Sequence, residues 1–502
     1  MPESKLIHEK QTLVKTLASG AIWVTMGMML ARILGYIIRA SIAQMYGVKL
    51  YGFINTSLSM IMIFSMISLA GLNTGLPRQI SFYQAKLKYK LSFIYIASAY
   101  KISIITGILS GLLLYFNSDF IALHVFKTPD LSIYLKIFSL GVPLFVLMEI
   151  NTSIFKGLKR MFQFSLYHDI LRFGFILVFV LIFGLAKSSF VLTSTSYIIS
   201  YFLIVVITSL QLIYKFKLLK FPKLRWSKFD NDLILFSVPL LMSGIFWMLL
   251  SRTDTLIIGI FLDQNFVGLY NAAIPIGQMI LMVRQAFSPI VLPLLTELLS
   301  KNKKDDLSLM YYLSAKWTTI LSMPIFISMF IKPEFYLKFI FGSEFISAAP
   351  ILKIVIFGFF IHTVVGPTSN LLIILGKTRI AMINSVLAFV LSICMNVILI
   401  PKFQLIGAAI TSLCTYLFYN LLCFIQVYKT IQTQPFKPLH LKFLIAGLIP
   451  IPVFYLQSYI KTDLMAIALY GILYILGLFL LKAVKSEDKI ILRTIFKKIG
   501  LK

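Results

Sequence analysis

Cysteine is nearly missing from this chain. The three present, Cys394, Cys414 and Cys423, all fall inside apolar runs, which excludes a disulfide framework, a zinc–cysteine centre and thiol catalysis. Acidic residues are also scarce, with 18 Asp and Glu against 47 Lys and Arg. The longest stretches expected outside the membrane on the outer side, near 116–132 and 332–347, hold no paired carboxylates and no histidine cluster, which argues against a glycosyltransferase or a polysaccharide polymerase. The five histidines, His8, His124, His168, His362 and His440, are not at metal-ligand spacing, so no metal is expected and each reads as a local structural residue. Gly376-Lys377-Thr378 ends like a phosphate-binding loop, but Leu371 stands where its first glycine belongs, and ATP hydrolysis is excluded with it. No cofactor is expected. Gly/Ser-rich or charged linkers are absent, and no cleavable leader is expected, because the polar N-terminus runs into a long apolar stretch with no small-residue cleavage site.

Apolar length is abundant. Hydrophobic residues make up 59% of the chain and the mean hydropathy is +0.91, more than water can cover. The fold class is therefore all-α and polytopic, each crossing needing about 20 apolar residues. Spans fall near 17–43, 50–75, 91–115, 133–155, 168–186, 190–213, 233–262, 266–296, 310–331, 348–374, 379–400, 404–428, 440–459 and 464–482, about fourteen in all. With the N-terminus inside, Lys5, Lys10, Lys15, Arg78, Lys86, Lys88, Lys90, Lys156, Lys159, Arg160, the run from Lys215 to Lys228, Lys301, Lys303, Lys304, Lys377, Arg379, Lys429, Lys437, Lys442 and the basic tail from Lys482 onward gather on one side. The other side holds only Lys49, Lys127, Lys187, Lys332, Lys338, Lys402 and Lys461. This asymmetry orients the chain with both termini in the cytoplasm, and it accounts for most of the net charge of +29 without any nucleic-acid partner.

The chain also repeats itself. Tyr51-Gly52-Phe53-Ile54-Asn55 matches Val267-Gly268-Leu269-Tyr270-Asn271 at an offset of 216 residues, with Pro77 falling on Pro293; Gly157 and Arg160 find Gly376 and Arg379 at 219. The offset spans an even number of helices, so the halves run in the same direction and are related by a pseudo-twofold axis along the membrane normal. Residues 1–225 form a six-helix lobe, 226–430 a second, and 431–502 two appended helices with a basic tail.

Charges inside the spans need a reason, because each costs at least about 2.5–3.5 kcal/mol near the bilayer centre. Lys136, Asp169, Arg172, Lys316 and Lys353 lie near span ends, where snorkelling serves. Arg32 and Arg39, seven residues apart, share a helix face and are candidates to line a watery cavity with Arg252, Asp254 and Arg284. Arg39 and Asp254 are expected on opposite walls of that cavity. Asp254 and Glu149 are the candidate ion-coupling residues. A basic cavity suits an anionic cargo such as phosphate or pyrophosphate, which arginine binds bidentately. Asn55-Thr56-Ser57 and Asn151-Thr152-Ser153 match glycan acceptors but lie in or against spans. Gly27, Ala31 and Gly35 form a small-residue packing stripe. Pro239, Pro275, Pro289 and Pro324 mark kinks or tolerated breaks.

Leu34-Gly35-Tyr36-Ile37-Ile38-Arg39, Gly47, Tyr51-Gly52-Phe53, Gly71-Leu72 and Pro77-Arg78 resemble the opening of the polysaccharide flippases. Arg252-Thr253-Asp254, Ile257-Ile258-Gly259 and Val267-Gly268-Leu269-Tyr270 resemble the start of their second lobe. These flippases belong to the multidrug/oligosaccharidyl-lipid/polysaccharide exporter superfamily. The resemblance implies a non-enzymatic flippase of the cell membrane that moves a polyprenyl-phosphate- or pyrophosphate-linked oligosaccharide by rocking of two lobes, with glycan-assembly enzymes as possible neighbours. It also implies that Arg32 and Arg39 face the phosphate. The alternative is a cation-coupled multidrug-type exporter of the same superfamily, for which acidic rather than basic residues would line the cavity.

Overall fold

The computed structural model describes residues 3–214, 249, 251–436, 438–456 and 462–483, with side chains from Trp23 onward except at 25, 289 and 290. The basic 215–228 run, most of the 233–262 span, Pro239 and the tail beyond Ala483 lie outside the described residues. No strand occurs among those described, as the spacing of apolar runs predicts.

Among the described residues, ten helical stretches are long and apolar enough to cross a bilayer. Eight follow the expected spans closely, among them Tyr89–Phe116, Leu131–Gly157, Phe190–Tyr214 and Lys304–Ile331. The other two are far too long for one crossing: 60 residues from Met26 to Ala85 and 54 from Thr378 to Ile431. At 1.5 Å per residue these would run about 90 Å and 80 Å, against roughly 30 Å of hydrocarbon. Each is broken by a backbone reversal, and the first is broken again at the Ala70–Gly71 turn (φ 45° and 76°). Gly47 has φ 77°, ψ −177°, a region open to glycine but not to residues with a Cβ, and it falls in the expected gap between the first two spans. Gln404 (φ 51°, ψ −132°) breaks the other, three residues after Pro401. Each half is long enough for its own pass. A shorter apolar helical stretch, Leu439–Tyr455, stands where another span is expected.

The chain forms two compact units. One runs to Asn271 and takes in Ser392–Leu405; the other comprises Ala272–Leu391 and the chain from Ile406 onward. At the centre of the first unit lies Gly141–Gly157, packed by Leu72–Ala85, Tyr89–Phe116 and Ser196–Tyr214. Val142, Val146, Ile150 and Ile154 are fully covered, and so is Asn151. Such a helix has no lipid face, so its polar groups must be bonded internally. Asn151 does this by accepting from Tyr100 Oη and donating to Thr208 Oγ1 at 2.8 Å and Ser209 Oγ at 3.0 Å. In the second unit Lys304–Ile331 has the same role against Ala349–Val364, and Tyr474 closes on it by donating to the Ile320 carbonyl at 2.9 Å. Peripheral helices show the reverse pattern: Ile105, Ile108, Leu109 and Leu112 on one, Leu469, Ile472, Ile475 and Leu476 on another, are all exposed. Contiguous faces of that kind belong in lipid.

The sequence repeat has a direct structural expression inside the first unit. Gly52 lies against the backbone carbonyl of Gln264, and Gly268 against that of Val48. Gln264 is Val48 advanced by the same 216 residues, so the two helices cross reciprocally. Asn55 donates to the Tyr51 carbonyl at 2.8 Å, and Asn271 to the Val267 carbonyl at 2.9 Å, again one pattern written twice. Tyr51 Oη donates to the Asn271 carbonyl at 3.2 Å and Thr56 Oγ1 to Gln264 Oε1 at 2.7 Å, stitching the crossing together.

Candidate functional site

The first unit gathers charge from helices far apart in sequence. Arg39 and Arg252 are both half-buried and lie within electrostatic reach of each other. Both also reach the hydroxyls of Tyr51 and Tyr197, and Arg252 reaches Tyr201. Two guanidinium groups among three phenols offer many donors and no fixed negative charge, an arrangement that favours an anion of phosphate type. Arg32 lies two turns earlier on the Arg39 helix, within reach of the Tyr36 hydroxyl. Its helix is held by the small-residue stripe: Gly27 faces Ser165, Gly35 faces Phe173, and Ala31 is buried between them.

Asp254 sits two residues beyond Arg252 and is engaged elsewhere. Its carboxylate accepts from Tyr270 Oη at 2.5 Å and from Asn396 Nδ2 at 2.6 Å. Asn396, which returns to this unit on the short segment Ser392–Leu405, keeps a buried Oδ1 without a hydrogen-bond partner. Two neutral donors thus hold its two carboxylate oxygens.

Glu149 is buried in the central helix and is bridged by His168, whose Nε2 lies 3.1 Å from Glu149 Oε1. The other ring nitrogen, Nδ1, lies 2.8 Å from Asp169 Oδ1. This corrects one expectation: Asp169, only 5% exposed, does not snorkel. His168 and Asp169 sit in a widened turn, Leu166–Leu171, that aims them inward rather than along the helix surface. Lys316 is likewise not at a wet edge; it is 2% exposed, under the Phe443 ring. Lys136 does reach the surface, where it pairs with Asp119 at 2.7 Å.

Arg284 belongs to the second unit. It donates to the Gly366 carbonyl at 3.4 Å and lies within reach of Tyr416, Tyr419 and Cys423. His362 packs beside Tyr416, its Nδ1 2.9 Å from Asn420 Oδ1, a satisfied core histidine. The same unit contains an apolar cavity of about 520 Å³ walled by Met279, Met282, Pro324, Met329, Tyr336 and Tyr470. Asn55 and Asn151 are both buried, which removes them as glycan acceptors.

A multi-pass helical bundle with arginines and carboxylates sunk among its spans is a membrane transporter by class. Residues 17–299 match the model of the family described as polysaccharide biosynthesis protein, and residues 239–398 match MatE. The chain belongs to the polysaccharide biosynthesis protein family of the multidrug/oligosaccharidyl-lipid/polysaccharide exporter superfamily, as the motifs around Arg39 and Arg252 indicate.

The chain is also similar to individual proteins. A membrane protein of Methanocaldococcus jannaschii, MJ1068, is 24% identical over 95% of this chain and 98% of its own length. A probable low-salt glycan biosynthesis flippase of Haloferax volcanii, Agl15, is 30% identical, over 32% of this chain and 34% of the relative. Among solved structures, the lipid II flippase MurJ in an inward closed conformation superposes with a TM-score of 0.74 at 15% identity, covering 93% of this chain and all of that one. An inward-facing multidrug-resistance MATE transporter gives 0.65 at 13% identity, covering 83% of this chain and 98% of that one. At these identities the structures share the fold.

Proposed function

We propose that this chain is a flippase for a polyprenyl-phosphate- or pyrophosphate-linked oligosaccharide, serving the assembly of a cell-surface glycan. The observation that carries this reading is the convergence of Arg39 and Arg252 among Tyr51, Tyr197 and Tyr201. Two cations share one polar neighbourhood within apolar spans, and a phosphate relieves their mutual repulsion. Tyrosine hydroxyls beside them suit the sugar end of the cargo. The names of the Haloferax volcanii relative and of the MurJ structure support the flippase reading. The apolar cavity beside Met279 and Tyr470, within the second unit, is of ligand size, inside the roughly 300–1,000 Å³ of ordinary binding clefts.

Transport proceeds by alternating access of two six-helix lobes, 1–225 and 226–430, in a chain of about fourteen spans with both termini in the cytoplasm. Arg32 extends the basic lining, and Asp254 and Glu149 are held back for the coupling ion. The chain performs no covalent chemistry; binding and rocking are sufficient.

The test is reconstitution in liposomes with a fluorescent polyprenyl-pyrophosphate oligosaccharide, whose accessibility to an external quencher reports flipping. Wild-type protein is expected to equilibrate the lipid between leaflets, and Arg39→Ala and Arg252→Ala to slow it at least tenfold. Export of small organic cations with no movement of any prenyl-linked sugar would overturn this reading in favour of the multidrug-type exporter.

A further inference from the structure

The Glu149–His168–Asp169 cluster takes no part in the phosphate-facing set, yet its geometry is unusually constrained. Both ring nitrogens of His168 are within hydrogen-bond distance of carboxylate oxygens, Nδ1 of Asp169 at 2.8 Å and Nε2 of Glu149 at 3.1 Å. A neutral imidazole carries one N–H and one lone pair. With both carboxylates ionised, the lone pair would face a negative oxygen, a repulsive contact. Two N···O contacts therefore need two protons. The second rides on the ring, giving an imidazolium that donates to both carboxylates.

We infer that Glu149, His168 and Asp169 form a binding site for one proton, whose occupancy fastens the Gly141–Gly157 helix to the Leu166–Leu171 turn. Uptake makes the second bond and release breaks it. The surroundings let the site exist in both states. Lys156, from the Glu149 helix, lies over the Phe164 ring at 4.0 Å from its centroid, and Phe164 in turn stacks on His168. Arg172, four residues beyond His168, and the Tyr201 hydroxyl are also within electrostatic reach of Glu149. With the proton bound, the two carboxylates and the imidazolium sum to one negative charge against two cations. With the proton gone they sum to two, matching the two cations. Neither state leaves a large uncompensated charge in hydrocarbon, so the site can cycle.

Access and linkage fit a coupling site. The His168 side chain is 22% exposed against 12% for Glu149 and 7% for Asp169, so the imidazole is the open member and the carboxylates the enclosed ones. Asp169 Oδ2 lies 3.3 Å from Ser165 Oγ, and that hydroxyl lies 3.0 Å from the carbonyl oxygen of Trp23. A serine has one proton to give, so it bonds either the carboxylate or the carbonyl. The state of Asp169 thus reaches the helix that bears Arg32 and Arg39. On the flippase reading, proton release and phosphate engagement act on the same helix, and the transported lipid exchanges for a proton. That coupling rests on the proposed function, whereas the proton site itself does not.

Two measurements separate these claims. The first uses full-length protein in lipid nanodiscs with ¹⁵N-histidine and no substrate; His168→Gln assigns the signal. The expected result is a doubly protonated His168 ring that loses one proton in a single step on raising the pH, with Glu149→Gln and Asp169→Asn each changing proton affinity at least tenfold. A ring that stays singly protonated from pH 5 to 9, or that titrates identically in both variants, overturns the site. The second measures flipping in phosphatidylethanolamine/phosphatidylglycerol liposomes under an imposed pH gradient. Wild type responds to the gradient, and His168→Gln loses the response. A titrating His168 with flipping indifferent to the gradient refutes the coupling. A titrating His168 without any flipping refutes the flippase reading and leaves the proton site standing.

Discussion

Replacing Gly52 by alanine tests the reciprocal helix crossing most directly. A Cβ at Gly52 would overlap the carbonyl oxygen of Gln264 and come 2.9 Å from its carbonyl carbon and 3.2 Å from the Gly268 nitrogen. Carbon atoms in good contact sit about 3.5–4.0 Å apart, so the helices must separate by at least roughly half an ångström. The obstacle is backbone on both sides, so no side chain can swing away. Overpacking of this kind costs about 1–3 kcal/mol, with the upper end expected here, partly offset by the roughly 0.5–1 kcal/mol that alanine gains over glycine in a helix. Gly174 supplies the control, because nothing lies within 4 Å of a Cβ built there, so Gly174→Ala keeps only the gain. The two variants should differ by about 3 kcal/mol, more than a hundredfold in the unfolding equilibrium. Gly268→Ala meets the Val48 carbonyl carbon at 3.0 Å and should behave like Gly52→Ala. Because one opened crossing relieves both overlaps, the double variant should cost clearly less than the sum of the singles. The assay is the fraction of detergent-solubilised protein that stays monodisperse after heating, followed across temperature. Equal melting of Gly52→Ala and Gly174→Ala, or strict additivity at the pair, would refute the crossing.

Gly447→Ala should cost less than Gly52→Ala in the same assay, since a Cβ there meets Met323 at Cε (2.7 Å) and Cγ (2.8 Å), a side chain that can re-seat where backbone cannot. Asn384→Ala should destabilise by about 1–3 kcal/mol, because Asn384 and Gln426 donate to each other at 2.6 and 2.9 Å in the second unit and the surviving amide is left unsatisfied. Tyr270→Phe removes one of the donors holding Asp254 and should cost a similar amount, while Asn396→Asp, which sets two carboxylates side by side, should cost more and recover at acid pH.

The positions of the helices were legible because apolar length is a one-dimensional signal. So were the two breaks: Gly47 with Lys49, and Pro401 with Lys402, interrupt runs that would otherwise read straight through. The repeat was legible as Gly52 and Gly268, but its meaning was not, since a shared offset does not say that the two copies touch. Facing was the weakest inference. In lipid the outer and inner surfaces are both apolar, so the periodicity that separates core from solvent in water carries little information. That is why Asp169 and Lys316 read as edge residues although they are buried. Glu149 stood out as a lone acid in a span, but its partner lies 19 residues away across a turn, and the widened turn that aims His168 back has no sequence mark. Arg39 and Asp254 were expected on opposite walls of a cavity; the sequence did not show that Arg39 lies within reach of Arg252, or that Asp254 accepts from Tyr270 and Asn396.

That like-charge meeting carries its own prediction. Two guanidinium groups within reach of each other in low dielectric destabilise the empty protein, and structure that harms stability is kept where function needs it. Arg39→Gln removes the repulsion while keeping a polar, hydrogen-bonding side chain, though a shorter one with fewer donors. In the absence of anion it should therefore melt higher than wild type. Adding inorganic pyrophosphate should reverse the order. A ligand that binds only the folded state stabilises it by RT ln(1 + [L]/Kd), about 2.7 kcal/mol at a hundredfold excess over Kd, and wild type should gain most of this while Arg39→Gln gains little. Arg252→Lys keeps the charge but loses the planar fork, so it should retain the repulsion and lose much of the gain. Three curves, with and without pyrophosphate, then distinguish a phosphate site from an incidental pair. If Arg39→Gln melts lower than wild type without anion and responds equally to pyrophosphate, the arginines support the fold and the phosphate assignment fails.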